Sequence, residues 1–143
     1  MIVLGIFLAW QAIEDVKSKS IRIDAVVFFG IFGIVLRLLE SGFQVNTVKE
    51  LLVVCIPGGV FIIISYLFSG MIGEGDGMIF LISGIYMGMM KNVLLIYFSF
   101  LLVSIGGLGV VLFYRKRNRG KSYPFVPFIF AAFLVLELWG MRR

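Results

Sequence analysis

The chain has 143 residues, 61% of them hydrophobic and 15% charged, with a formal charge of +5 and a mean hydropathy of +1.09. Soluble domains average roughly 45–50% apolar and about 25% charged residues, so this composition excludes an ordinary soluble domain and predicts an integral membrane protein. There is no histidine and one cysteine, Cys55, which excludes His-based triads, His-ligated metal sites, an intrachain disulfide and a CxxC zinc site.

A spanning helix needs ~20 residues, so about six spans fill the chain as a single domain, residues 1–143. The expected fold is an all-α polytopic membrane protein. The positive residues cluster at the ends of apolar runs, where they act as topology signals. No nucleic-acid partner is expected; the surrounding partner is the lipid bilayer.

Span one runs from Met1 to about Ile13. It is short: Met1 to Asp15 covers roughly 21 Å of a hydrocarbon core of ~30 Å. Either its start lies below the far surface or Glu14 and Asp15 are drawn below the near one. It lacks the basic n-region and cleavage site of a signal peptide and is read as a retained span. A polar linker, Val16 to Arg22, carries Lys17, Lys19 and Arg22. Span two runs from about Ile23 to Leu39, with Asp24 and Arg37 near its ends, Arg37 reaching the interface by snorkelling. Ser41 to Lys49 is a linker. Span three, about Leu51 to Phe68, holds Pro57-Gly58-Gly59, which predicts a kink or the close approach of a neighbouring backbone.

Gly73-Glu74-Gly75-Asp76-Gly77 follows. Span four starts at Met78 and ends near Met90, short enough that Asp76 falls in the first helical turn, at or just inside the membrane surface. Ser83-Gly84 and Gly88 give it a small-residue face. Lys91-Asn92 reads as a tight linker, and span five as Val93 to about Tyr114. Arg115 to Lys121 is the strongest charge run. Span six, about Phe125 to Trp139, opens with Pro124-Phe125-Val126-Pro127-Phe128.

Spans that each cross once alternate their linkers between two faces. Asp15, Glu74, Asp76, the Arg115–Lys121 run and Pro124 therefore share a face. It carries Lys17, Lys19, Arg22, Arg115, Lys116, Arg117, Arg119 and Lys121, against Lys49, Lys91, Arg142 and Arg143 on the other. The positive-inside rule makes it cytoplasmic, with the N-terminus outside.

Asp24, Glu40 and Glu50 read as interfacial anchors, and Glu137 as another or as a partner for Arg37. Asp15 and Asp76 differ, because each ends a short span on the same face. Two carboxylates a few ångströms apart share a proton. The ionised one takes a proton from a water between them while the protonated one polarises a carbonyl, as in aspartyl proteases. Asp76 near a helix N-terminus is expected to be the ionised partner. Other readings of the same residues are a flexible acidic turn and a proton or ion pathway.

Gly73-Glu74-Gly75-Asp76 resembles the GxGD motif of the type IV prepilin peptidases. Asp15 with Lys17 and, six residues on, Ile21 resembles that family's Asp-x-basic-x-x-x-Ile pattern after its first catalytic helix. Pro124 to Phe128 resembles its Pro-Phe-x-Pro-Phe opening of the last span. Arg22-Ile23 stand where the family often has Pro-Asn, and Met78 where it often has Lys. The resemblance implies a membrane aspartyl endopeptidase of the short form, lacking the segment with paired CxxC motifs and its methyltransferase activity, and working without metal or cofactor. Asp15 and Asp76 are the implied catalytic pair. Gly73 and Gly75 shape the loop, and Glu74 takes the variable position. The implied substrate is a prepilin-like precursor at the cytoplasmic face of a bacterial inner membrane. Glu14, Glu74 or Asp24 would meet its basic leader, and Pro127 opens the last span beside it. The alternatives are a small proton- or ion-coupled transporter subunit and a non-catalytic component of a pilus or secretion machine.

Overall fold

The computed structural model describes residues 1–42, 44–67, 74–113 and 124–141, with residues 74, 107–113 and 141 described as backbone alone. Six α-helices follow one another: α1 (Ile2–Ser18), α2 (Ile23–Ser41), α3 (Val45–Leu67), α4 (Glu74–Met87), α5 (Met89–Phe113) and α6 (Val126–Met141). The chain is all-α, as its apolar runs predict. Two helical segments, Val45–Leu67 and Met89–Gly106, are long and apolar enough to cross a membrane.

α4 is the axis of the bundle. It packs against α1, α2, α3 and α5, most extensively against α3. Ile79, Phe80 and Ile82 of α4 are buried with Leu4, Phe7 and Leu8 of α1, Leu95 of α5 and Val126, Ile129 and Phe133 of α6. The α3–α4 contact is backbone on backbone. A Cβ on Gly58 would land on the main chain of Leu81, one on Gly84 on the carbonyl of Val54, and one on Gly77 at 2.9 Å from the nitrogen of Ile62. Small residues allow this approach. The close approach expected at Pro57-Gly58-Gly59 is seen at Gly58, and α3 runs through Pro57.

Polar side chains tie the other helices to α4. The Tyr86 hydroxyl donates to the Phe29 carbonyl at 2.8 Å. Arg37 Nε donates to the Ile85 carbonyl at 3.0 Å, near the end of α4 where carbonyls lack helical partners. Arg37 thus bonds α4 rather than Glu137. Lys91-Asn92 is not a linker. The chain turns one step earlier, at Gly88 (φ 80°), because glycine adopts that left-handed region without a Cβ penalty. Asn92 lies inside α5, fully buried, and its Nδ2 donates to the Phe80 carbonyl at 2.9 Å.

Candidate functional site

α1 extends past Ile13 to Ser18, so Glu14 and Asp15 lie within the helix, as do Val16, Lys17 and Ser18, expected in the linker. Lys19 closes it in a left-handed conformation (φ 52°), donating its N–H to the Asp15 carbonyl at 2.9 Å. The Asp15 side chain is buried, 8% exposed, and its Oδ2 accepts the backbone N–H of Val126 at 3.0 Å. Val126 is the first residue of α6. Its N–H is one of the four that a helix start leaves without an intrahelical partner, and the positive end of the helix dipole points at a carboxylate there. Pro127 follows in the first turn of α6, where its missing N–H leaves no ladder bond unmade.

Asp76 lies in the first turn of α4, ahead of the apolar run that begins at Met78. Asp15 acts on it electrostatically, so the two aspartates sit close enough to interact. Phe80, one turn on from Asp76, joins Phe61, Phe100 and Phe125 in a ring cluster with centroids 5.2 to 6.2 Å apart, and Phe125 immediately precedes Val126.

Gly75 explains how the two motifs meet. A Cβ there would collide with the Ile21 side chain, lying 2.9 Å from its Cγ1 and 3.1 Å from its Cβ. Ile21 thus packs flat on the α4 start, and the linker after α1 is seated against the glycine-acid stretch. Gln11 holds that linker. It is fully buried; its Nε2 donates to the Arg22 carbonyl at 3.1 Å and its Oε1 accepts the Arg22 N–H at 3.2 Å. Sequence reasoning missed Gln11, although an amide inside an otherwise apolar span is a signal that it needs partners.

Glu14 and Asp24 each stand 4.0 Å from the Arg22 guanidinium, so part of their negative charge is already answered. Glu74 is the first residue of α4. Gly73 and the Arg115–Lys121 run lie outside the described residues. Among the described residues no cluster of acids, histidines or cysteines could hold a metal ion.

Comparison with protein-family models, curated proteins and solved structures finds no match. The reading of function rests on the site itself.

Proposed function

We propose that this chain is a polytopic membrane aspartyl endopeptidase that removes the leader of type IV prepilin-like precursors at the cytoplasmic face of a bacterial inner membrane. The observation that carries the reading is the meeting of Asp15 and Asp76, one from the end of α1 and held on the start of α6, the other from the start of α4. In the proposed reaction Asp15 accepts a proton from a water while Asp76 donates its own to the scissile carbonyl oxygen. The resulting gem-diol then collapses: the departing amine takes the proton from Asp15, one diol hydroxyl returns its proton to Asp76, and the pair is left sharing one as before. Asp15 Oδ2 is held by Val126, which leaves Oδ1 to face the water.

The membrane part of the proposal has its own support. Only 17% of the apolar window of α3 is buried, and the same holds for α5. The core helix of a soluble protein would be mostly covered. Ile31, Leu52, Ile63 and Leu101 instead point outward, as lipid-facing side chains do. We take all six helices as spans, with the N-terminus outside. α4, at 14 residues, is roughly 21 Å long, so the aspartates sit where the polar leader of a precursor gives way to its membrane helix.

The test is cleavage of a precursor with a short basic leader followed by an apolar helix, in reconstituted membranes. Asp15→Asn and Asp76→Asn should each abolish cleavage while the protein stays folded in the bilayer. Full cleavage by either variant overturns the proposal.

A further inference from the structure

At the opposite end of the bundle from the aspartates lies a half-open cavity of about 600 Å³. That volume is within the range of small-molecule sites, ~300–1,000 Å³. Its walls come from the ends of α4 and α6 and the start of α5. Lys91, Leu94 and Phe98 fall on one face of α5, and Leu136, Glu137 and Trp139 come from α6. Met1 at the start of the chain completes the lining, which is mainly apolar, with Lys91 and Glu137 as its charged side chains. Lys91 and Glu137 face the same cavity without forming a salt bridge to each other. Phe98 and Trp139 are already engaged edge to face, 6.4 Å between centroids.

We infer that this cavity binds a zwitterionic phospholipid with a primary ammonium headgroup, of the phosphatidylethanolamine type. Lys91 meets the phosphate, Glu137 the ammonium, and an acyl chain lies along Leu94, Phe98 and Leu136. The inference rests on the chain being in a bilayer, not on its being a peptidase. Both charges of the ligand find an opposite charge, and the apolar walls match the chain. A primary ammonium donates N–H bonds to the Glu137 carboxylate; a trimethylammonium has none to give. An anionic headgroup without an ammonium would leave Glu137 opposed by like charge.

The test is lipid retention. The full chain is reconstituted in an equimolar mixture of phosphatidylethanolamine, phosphatidylcholine and phosphatidylglycerol, extracted in mild detergent, and its bound lipid identified by native mass spectrometry. Phosphatidylethanolamine should be retained about tenfold over each competitor, as expected for one charge-assisted hydrogen bond gained. Glu137→Gln should erase its advantage over phosphatidylglycerol. The double swap Lys91→Glu with Glu137→Lys keeps one charge of each sign and should retain the preference, which separates recognition from misfolding. Soluble glycerophosphoethanolamine should not displace the lipid. Equal retention of the three lipids, an unchanged preference in Glu137→Gln, or displacement by the soluble headgroup overturns the inference. Because the readout is binding, a loss here is distinguishable from a failure of the peptidase proposal, whose residues lie at the other end.

Discussion

The carboxylate of Asp15 and the backbone N–H of Val126, 111 positions apart in the chain, form a hydrogen bond of 3.0 Å. It joins the end of α1 to the start of α6 and places a proposed catalytic oxygen on a helix N-terminus. The bond can be removed without removing the helix. Proline is tolerated at the first helical position, where it lacks the N–H, and Val126 stands at that position with its side chain in the core, a loss that Val126→Ala calibrates. Val126→Pro should lose ~1.5–3 kcal/mol, the worth of a hydrogen bond to a charged group, and cleavage should fall with it. Val126→Ala keeps the N–H, so it should retain activity and lose only what its smaller side chain costs. Thermal unfolding in detergent and cleavage rates check both. Equal behaviour of the two variants would mean that the bond has no part in positioning Asp15.

The helices and the residues of the site were legible to different degrees. Six apolar runs become six helices because hydropathy is a local property of the chain. Asp15 and Asp76 stood out because a carboxylate at the end of an oily run is costly wherever the run packs. Two features were not legible. The break at Gly88 was hidden because Met87-Gly88-Met89 is as apolar as its surroundings, and only the positive φ reveals it. The role of Gln11 depends on the fold of the Val16–Arg22 linker, which polar composition alone does not specify.

The contact of Gly75 with Ile21 ties the two motifs together, and a double substitution can separate packing from chemistry. Gly75→Ala should be destabilising by ~1–3 kcal/mol, the usual cost of overpacking. The added methyl meets the stem of Ile21, not only its flexible end. Ile21→Ala removes the two nearest obstructing atoms and leaves only the Cβ at 3.1 Å. Combined with Gly75→Ala, it should recover a coupling energy of at least ~0.5 kcal/mol, together with part of the cleavage activity. A double variant whose losses simply add would show that the two residues do not act on each other.

Gln11 yields the last prediction. Gln11→Leu is close in volume but removes both bonds to Arg22. The Arg22 carbonyl keeps a partner, because it also accepts the Val26 N–H at 3.1 Å. The Arg22 N–H loses its partner, but Arg22 is exposed, so water can replace the bond. The stability cost should therefore be near the lower end for a lost bond, about 1 kcal/mol. The larger effect is on the linker. Without the amide clamp, the Arg22 amide should exchange hydrogen about tenfold faster, the equivalent of ~1.4 kcal/mol in local opening. Ile21 should then sit less firmly on Gly75, and cleavage should drop although neither aspartate is altered. Exchange at residues 19–22 followed by mass spectrometry, beside the cleavage rate, tests the link. Faster exchange with full activity would show that the linker's seat on α4 does not govern the aspartate pair.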